Sequence, residues 1–287
     1  MKHFEGRIAV ITGAADGLGR ELANVAASLG MKLVLGDIDG DALERATADL
    51  QAGGAEVLSM VCDVRKCAHV EELADAAMIR FGAVHLVFNN AGVVAGGLVW
   101  EHTEADWEWV LGVNLWGAIH GVRLFTPLML ACAARDPAYE GHIVNTASTA
   151  GLAVAPAMGA YNVAERGLVA LSETLYHDLR LAGAPIGASV LLPERMRTDF
   201  ARSWRHRPQD LDNDGPPTRS QKAARTLLER ELAQAGLRPT EMAQLAFDAI
   251  RAGRFHVHGT APAPAGADGD AAPPDPYAAL PGFRGMW

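Results

Sequence analysis

Three side chains between positions 148 and 165 have the types and spacing that proton transfer requires. Ser148 follows an apolar run at residues 141–146, and Tyr161 and Glu165 stand four positions apart in a stretch with helical character. Residues four apart share one face of a helix, so the phenol and the carboxyl group are expected to face one cleft together with the Ser148 hydroxyl. A hydroxyl and a phenol that face one small polar group suit general acid–base chemistry. The stretch therefore predicts a proton-transfer site centred on Tyr161.

A glycine-rich turn near the start of the chain has the setting of a nucleotide-binding loop. Gly13, Gly17 and Gly19 lie between a β-branched run at residues 7–12 and a helical pattern that follows them. Glycine permits positive φ angles and a close approach of the backbone, and the N-terminus of the next helix offers N–H groups to a pyrophosphate. A plain tight turn has the same pattern, so the nucleotide interpretation depends on a second residue.

Asp37 is that second residue. It ends the apolar run at residues 32–37, where an acid can accept hydrogen bonds from a ribose diol. No basic residue follows it at Ile38 or Asp39, and Asp16 adds negative charge to the glycine turn. A 2′-phosphate would meet like charge there, so the sequence predicts NAD rather than NADP as the cofactor.

The elements that must position these residues alternate along the chain. Strands are predicted at residues 7–12, 32–37, 56–61, 84–89, 141–146, 186–192 and 255–258, and helices at 39–50, 70–81, 104–135, 157–182, 220–235 and 240–252. Such alternation implies βαβ units, and right-handed crossovers make the resulting parallel sheet doubly wound. The predicted fold class is α/β, a single-domain doubly wound parallel sheet of Rossmann type flanked by helices.

The last third of the chain differs in composition from the rest. Residues 203–218 are polar and rich in Pro, Asp and Arg, and they are predicted to form a mobile loop that acts as a lid over the substrate. Residues 1–258 are predicted to form one dinucleotide-binding domain that includes this loop. Residues 259–287 are rich in Ala, Pro, Gly and Asp, which predicts a disordered tail or one that docks on a partner.

Composition and charge exclude several classes of function. A formal net charge of −9 argues against nucleic acid or an anionic membrane as a partner. Three cysteines without a C-x-x-C spacing fit a reducing compartment, and no apolar run approaches the roughly 20 residues of a membrane span. From the cysteine usage and the lack of a membrane span we expect a cytoplasmic protein.

The sequence predicts no metal site. His256 and His258 alternate on a predicted strand, but no carboxylate or cysteine lies nearby to complete a set of metal ligands.

Taken together, these motifs resemble those of the short-chain dehydrogenase/reductase family. The resemblance spans residues 5–200 and rests, in chain order, on Thr12-Gly-x-x-x-Gly-x-Gly19, Asp63-Val64, Asn89-Asn-Ala-Gly92, Asn114, Ser148 and Tyr161. It implies that Asp63 and Val64 contact the adenine, that Asn90 supports the cofactor ribose, and that Thr198 meets the nicotinamide carboxamide. The full set of cofactor-binding residues that we expect is Gly13, Asp16, Gly17, Leu18, Gly19, Asp37, Ile38, Asp63, Val64, Asn90, Ala91, Gly92, Tyr161, Pro193 and Thr198.

The resemblance also implies a role for each catalytic residue. Tyr161 would exchange a proton with the substrate oxygen, Ser148 would orient that oxygen, and Asn114 would hold a water molecule in a proton relay. The family places a lysine four residues after the tyrosine, where it binds the nicotinamide ribose and lowers the pKa of the phenol. In this chain that position is Glu165.

The exchange of a lysine for a glutamate changes the expected chemistry of Tyr161. Two unit charges ~5 Å apart at an effective dielectric near 20 interact by roughly 3 kcal/mol, so reversing the sign costs the phenolate up to about 6 kcal/mol. Tyr161 is therefore predicted to be a poor base near neutral pH. It can still donate a proton, so carbonyl reduction is harmed less than alcohol oxidation.

A second departure from the family pattern follows the sixth predicted strand. The family has a Pro-Gly turn there, whereas here Glu194 follows Pro193 and two arginines come next, Arg195 and Arg197. Either arginine would replace the missing positive charge if it paired with Glu165. The alternative, which we favour because charges are usually solvated, is that both arginines point to solvent.

The first functional interpretation is an NAD(H)-dependent oxidoreductase that interconverts a bulky hydrophobic secondary alcohol and its ketone. The alternatives are a non-redox isomerase or lyase that uses Glu165 as an acid or base, and a catalytically weak protein that binds the cofactor. By resemblance, the long helices around Asn114 and after Tyr161 would form a homodimer or homotetramer. An apolar substrate pocket is expected from Leu98, Trp100, Leu152, Val154, Met158, Met196, Phe200 and Trp204.

Overall fold

Seven parallel strands form one sheet in the computed structural model, which describes residues 1–259. They are β1 (Ile8–Thr12), β2 (Lys32–Asp37), β3 (Val57–Val61), β4 (Leu86–Asn89), β5 (Gly141–Thr146), β6 (Ile186–Leu192) and β7 (His256–His258). Their spatial order is β3-β2-β1-β4-β5-β6-β7. The predicted doubly wound parallel sheet is therefore confirmed, and the predicted tail lies outside the described residues except for Gly259.

Helices cover both faces of this sheet. They are α1 (Gly17–Ser28), α2 (Gly40–Ala52), α3 (Cys67–Phe81), α4 (Glu104–Leu111), α5 (Gly117–Ala133), α6 (Gly159–Leu181), α7 (Arg219–Ala233) and α8 (Pro239–Ala252). A π-helical turn (Gly112–Trp116) joins α4 to α5, and Asn114 lies within it. Short 3-10 turns occur at Thr149–Gly151, Phe200–His206 and Gln209–Leu211.

Burial on both faces explains why the strands consist of continuous apolar runs. Side chains alternate along a strand, so Ala9 and Ile11 of β1 pack with Phe247 of α8, while Val10 packs on the opposite face with Phe125 of α5. All five of these residues are almost fully buried. A parallel sheet needs this two-sided cover, because its crossover helices lie on both faces.

The strand order places a crevice at one edge of the sheet. The connection after β1 leads to β2 on one side, whereas β4 pairs with β1 on the other side. Ligands of doubly wound sheets bind outside the carboxyl ends of the strands, at the point where the order reverses. The glycine turn after β1 and the residues after β4 and β5 meet at this edge.

Contrary to the expectation from the sequence, one helical run among residues 1–259, Glu104–Ala133, has the length and composition of a membrane span. It has 30 residues and a mean hydropathy of 1.3. In the fold its α5 segment lies directly on the sheet, because a Cβ atom at Gly121 would come within 1.9 Å of the Asn89 side chain of β4. We therefore interpret the run as a core helix of the α/β fold.

The lid segment, residues 203–218, is tied to the rest of the fold by buried polar contacts. Arg207 Nη1 lies 2.5 Å from Asp106 Oδ1 of α4, with side chains only 12% and 3% exposed. Ser203 Oγ accepts a hydrogen bond from the Val94 N–H at 3.0 Å. Asn213 Nδ2 donates to the same Asp106 oxygen at 3.1 Å. The segment that we predicted to be a mobile loop therefore has an anchored portion, and its role as a lid remains a prediction.

Removal of the Arg207 charge is expected to destabilise the fold. Arg207→Met keeps an aliphatic stem over the Trp109 ring, which the guanidinium carbon approaches to 5.1 Å, but leaves the Asp106 carboxylate buried without its cation. We expect the free energy of unfolding in urea to fall by about 3 kcal/mol. Arg202→Met is the control, since among residues 1–259 the Arg202 side chain has only long, exposed ion pairs, with Asp199 and Glu229. Its loss should lower the free energy of unfolding by less than about 1 kcal/mol. Equal losses for the two variants would contradict the anchoring role.

Candidate active site

A cleft of about 1520 Å³ opens along the carboxyl ends of the strands. Gly13 and Asp37 line one end, and Ser148, Tyr161 and Glu165 line the other. The cleft therefore joins the predicted nucleotide-binding turn to the predicted proton-transfer residues in one continuous space.

The glycine turn brings backbone segments closer together than any side chain would allow. A Cβ atom at Gly19 would lie 1.8 Å from the Gly13 carbonyl oxygen, and one at Gly13 would lie 2.8 Å from Ala91 Cα. Gly13 and Gly17 also adopt positive φ angles of +64° and +54°. The Asn90 side-chain amide donates to Thr12 O at 3.1 Å and holds the turn against the loop after β4. The cradle at the N-terminus of α1 fits the pyrophosphate of a dinucleotide.

Asp37 is held in place by the backbone on both of its carboxylate oxygens. Oδ2 accepts the Ala15 N–H at 2.9 Å, and Oδ1 accepts the Asp39 N–H at 3.0 Å. Each oxygen keeps a lone pair for a further hydrogen bond. Burial raises the pKa of this carboxyl, and the two backbone hydrogen bonds oppose the rise. Asp37 can therefore accept hydrogen bonds from a sugar diol at the cleft wall.

Asp63, which we expected near the adenine, forms an ion pair with Arg65, a residue that the sequence motif did not identify. Arg65 Nε and Nη2 donate to its carboxylate, with Nη2–Oδ2 at 2.8 Å. Arg65 also lies 3.6 Å from Asp210 of the lid segment. Val64 packs against the start of α5, where a Cβ atom at Gly117 would come within 2.7 Å of it. The adenine contact of Asp63 remains a prediction from the resemblance.

The lid segment also reaches the nucleotide end of the cleft. Arg205 Nη2 lies 3.5 Å from Asp16 Oδ2 of the glycine turn, and His206 Nδ1 lies 3.8 Å from Asp39 Oδ2 after β2. Arg205 and His206 line the cleft. No local sequence pattern signals such pairs, because the partners stand far apart in the chain.

Ser148 and Tyr161 meet at the other end of the cleft. Ser148 follows β5 and caps the next 3-10 turn by accepting the Ala150 N–H at 3.2 Å. Tyr161 lies in the first turn of α6, makes a hydrogen bond with Ser148, and packs edge-on against the Phe200 ring at 6.0 Å. Burial, and after it the Glu165 carboxyl, raises the pKa of the Tyr161 phenol well above its ordinary value of 10. Tyr161 therefore holds its proton strongly.

Asn114 connects three elements at the base of the cleft. Its Oδ1 accepts the Val93 N–H at 2.9 Å, and its Nδ2 donates to Val93 O at 3.0 Å. The second Nδ2 hydrogen goes to Glu165 Oε1 at 2.8 Å. Both amide hydrogens are thus used by the protein. The water-holding role that the resemblance implies for Asn114 remains a prediction.

Glu165 is buried in the helix face below Tyr161. Its residue surface is 2% exposed, and its Oε2 atom has no hydrogen-bond partner among residues 1–259. Burial raises the pKa of the carboxyl from 4.5 to about 8, against the opposing effect of the Asn114 hydrogen bond. The side chain is therefore neutral at pH 7 for the most part.

The hypothesis that an arginine after β6 pairs with Glu165 is wrong. Arg195 Nε lies 2.8 Å from Glu231 Oε2 of α7, and Arg197 Nη2 donates to Ala235 O at 3.3 Å. The favoured alternative, that both arginines point to solvent, is confirmed by the exposure of both residues, and each also has a partner. The segment 219–235 supplies these partners, and its position in the fold was not evident from the sequence.

The apolar end of the cleft differs from the lining that we expected. Met158, Met196 and Phe200 line it, and α7 adds Leu227, Leu228 and Leu232, which sequence reasoning missed. The other expected residues, Leu98, Trp100, Leu152, Val154 and Trp204, are not part of the lining. Trp100 is 76% exposed on a surface loop, and the Trp204 ring packs against the Arg225 guanidinium at 4.8 Å. Hydrophobicity alone did not reveal which loop side chains face inward, whereas the amphipathic pattern of 219–233 was the available signal for the α7 wall.

The chain is similar to known proteins over most of its length. Residues 7–209 match the family model described as short chain dehydrogenase. A solved short chain dehydrogenase/reductase from Burkholderia phymatum, in complex with NAD, has a TM-score of 0.88 and 50% sequence identity, covering 90% of each chain.

Two curated relatives have dehydrogenase names. The CLA biosynthesis dehydrogenase/reductase of Lactiplantibacillus plantarum is 35% identical over 217 residues, which is 76% of this chain and 74% of the relative. The 1-deoxy-11-beta-hydroxypentalenate dehydrogenase of Streptomyces avermitilis is 37% identical over 202 residues, which is 70% of this chain and 72% of the relative.

The buried carboxyl of Glu165 is expected to make the stability of the fold depend on pH. Between its ordinary pKa of 4.5 and about 8, the unfolded state releases the proton while the folded state keeps it. Stability therefore falls by about 5 kcal/mol in total as the pH rises through this window, and it levels off above it. Glu165→Gln removes this loss, so its advantage over the wild type in urea unfolding should grow from pH 5 to pH 8.

Asp178→Asn is the control for that measurement, because it removes an exposed carboxyl from the same helix. Its stability should follow the wild-type pH profile. A difference between Glu165→Gln and wild type that does not change with pH would show that Glu165 is ionised in the fold.

Proposed function

The chain belongs to the short-chain dehydrogenase family of oxidoreductases, and from this membership we propose that it is an NAD(H)-dependent enzyme that interconverts a bulky hydrophobic secondary alcohol and its ketone. The observation that carries the proposal is the hydrogen-bonded pair of Ser148 and Tyr161, which lines the same cleft as the glycine turn and Asp37. A proton donor and a dinucleotide cradle in one cleft are what carbonyl reduction requires.

The preference for NAD rests on the charges at the nucleotide end. The Asp37 carboxylate is fixed by two backbone N–H groups, so it cannot easily turn away from a 2′-phosphate. Two of the arginines that line the cleft are engaged in ion pairs, Arg205 with Asp16 and Arg20 with Asp49. The similar protein from Burkholderia phymatum was solved with NAD, which supports the same choice.

The residues around the reacting atoms have distinct tasks. A bound nicotinamide supplies a hydride in reduction or accepts one in oxidation. Tyr161 holds the proton at Oη that the substrate oxygen receives, and the Ser148 hydroxyl orients that oxygen. Asn114 fixes the loop after β4 through Val93, and Phe200 packs on the Tyr161 ring and excludes water from one side of it.

The substrate class follows from the walls of the cleft. Met158, Met196, Phe200 and the leucines of α7 present an apolar surface next to Tyr161, which suits a hydrophobic body with one polar group. The names of the two curated relatives favour redox chemistry over the non-redox alternative. Arg195 and Glu231 line the cleft beside this wall as an ion pair.

Loss of the phenol should abolish turnover without abolishing cofactor binding. With a panel of hydrophobic ketones and NADH, Tyr161→Phe is expected to lower kcat by about 10²-fold or more, because the proton donor is gone. NADH affinity, measured by fluorescence, should change little. Tyr176→Phe is the control, since that phenol lies on the same helix but does not line the cleft. Wild-type activity in the Tyr161 variant, or isomerisation of a substrate without nucleotide, would contradict the proposal.

Asp37 is expected to set the cofactor preference. Asp37→Ser removes the carboxylate that a 2′-phosphate would meet, so the ratio of kcat/KM for NADPH to that for NADH should rise about tenfold, or ~1.4 kcal/mol. Asp41→Ser is the matched control, because it removes an exposed carboxylate from the first turn of α2. A wild-type enzyme that already prefers NADPH would disprove the assignment of NAD.

A further inference from the structure

We propose that Glu165 works as a neutral carboxylic acid that keeps Tyr161 in its proton-donating form, so that the enzyme reduces carbonyls at neutral pH and oxidises alcohols poorly. The inference rests on the proposed function, since it assigns a direction to the same reaction. In this inference Glu165 is a positioning residue, because it acts on the substrate only through Tyr161.

The first support is the placement of the two side chains. Tyr161 and Glu165 stand four residues apart on α6 and both line the base of the cleft. Tyr161 packs against an apolar cluster that includes Ala160, Ala164 and Trp109, and Glu165 is buried beside it on the same helix. An ionised carboxylate in such surroundings needs a cation or several hydrogen-bond donors.

The second support is that Glu165 has neither of these. Its Oε1 receives one hydrogen bond from Asn114, at 2.8 Å, and its Oε2 receives none from residues 1–259. A proton on Oε2 makes the group neutral and leaves the Asn114 hydrogen bond intact, because that bond needs only an acceptor. One neutral donor is too little to compensate for burying a full charge.

The third support is that the cations on the neighbouring elements are engaged elsewhere. On α6, Arg166 donates to Leu152 O at 2.9 Å. After β6, Arg195 pairs with Glu231 and Arg197 donates to Ala235 O. The titratable and charged groups on the elements around Glu165 are, on α6, Tyr161, Arg166, Glu173, Tyr176, His177, Asp178 and Arg180, on α4, Glu104, Asp106 and Glu108, and after β6, Glu194, Arg195 and Arg197. No ion pair joins any of these cations to Glu165 within the described part of the chain.

The consequence for Tyr161 follows from charge. A neutral Glu165 offers no positive charge to a phenolate, and an ionised Glu165 would repel it. Burial of the phenol acts in the same direction. In either state of Glu165 the phenolate is disfavoured, so Tyr161 has its proton available at Oη and is a weak acceptor of another.

The two directions of the reaction make opposite demands on Tyr161. In reduction, the carbonyl carbon gains a hydride with its electron pair from the reduced nicotinamide, the carbonyl π bond breaks, and the oxygen takes the Oη proton. Water then returns a proton to the phenolate. In oxidation the phenolate must be present first, in order to take the alcohol proton. The site therefore favours reduction, in which the tyrosine starts protonated.

The test measures both directions for one alcohol–ketone pair between pH 6 and pH 9. Wild type, Glu165→Gln and Glu165→Lys are compared, with Asp178→Asn as the control for loss of a carboxyl on the same helix. The Tyr161 phenolate is followed separately, by its ultraviolet absorbance during a pH titration with Tyr161→Phe as the blank. This titration reports on the residue without any turnover.

We expect Glu165→Lys to raise the oxidation rate at pH 7 by about 10²-fold and to shift phenolate formation to lower pH. The wild-type reduction rate should fall as the pH rises through about 8, where Glu165 ionises next to the developing phenolate. Glu165→Gln cannot ionise, so its profile should lack this fall. The proposal is overturned if wild type oxidises alcohol at pH 7 as fast as Glu165→Lys, or if Glu165→Gln keeps the fall near pH 8.

The outcomes separate this inference from the proposed function. If no ketone or alcohol is turned over with either nucleotide, the proposed function fails, and the phenolate titration still decides whether Glu165 controls Tyr161. If turnover occurs but phenolate formation is the same in wild type and both variants, the role of Glu165 fails alone. Circular dichroism and urea unfolding establish that each variant is folded, and Glu165→Gln remains decisive if the buried lysine unfolds the chain.

Discussion

The side-chain amide of Asn114 holds the base of the cleft together. Its three hydrogen bonds join the loop after β4, the π-helical turn and α6, which are separate elements of the chain. The π-helical turn interrupts the helical run where Asn114 lies, and such single turns often occur at functional sites. Because both amide hydrogens are used, the position of Glu165 and the shape of the cleft wall at Val93 are set by one residue. Because Tyr161 lies four residues before Glu165 on α6, the same junction ties the helix that carries Tyr161 to the base of the cleft.

Much of the fold and part of the site followed from local patterns in the sequence. Apolar runs such as 7–12 and 186–192 are short and bounded by turns, so they identified the strands, and the glycine spacing identified the turn at Gly13. Ser148 and Tyr161 were found because each stands at a fixed distance from an element end. The contacts Arg207–Asp106 and Arg195–Glu231 were not predictable, since each joins residues brought together only by tertiary packing. Trp100 was wrongly assigned to the substrate pocket, because hydrophobicity does not determine the direction in which a side chain in a loop points.

The two ends of the cleft carry different kinds of ionisable group, ion pairs at one end and, beside the reacting atoms, uncharged groups at the other. At the nucleotide end, Asp16 after β1 and Asp63 after β3 form ion pairs with arginines, and the His206 ring lies 3.8 Å from Asp39 after β2. At the other end, the groups nearest the reacting atoms are a phenol, a hydroxyl and a buried carboxyl without a cation. On the proposed function, the charges that bind the nucleotide and the groups that control proton transfer are thus separated along one cleft. A change in one set should leave the other largely intact, because distant sites are approximately additive.

The contacts of the lid segment have a further consequence for how the cleft opens. Near Arg207 the segment is attached by a buried ion pair, which dissolved salt screens little. Toward the nucleotide the attachment consists of longer pairs with exposed partners, Arg205–Asp16 and Arg65–Asp210, which salt screens effectively. Ionic strength therefore weakens the exposed pairs at Arg205 and Asp210 and leaves the buried anchor at Arg207 in place. On the proposed function, nucleotide exchange should become faster as the ionic strength rises, while the contacts near Arg207 keep the apolar wall of the cleft in place.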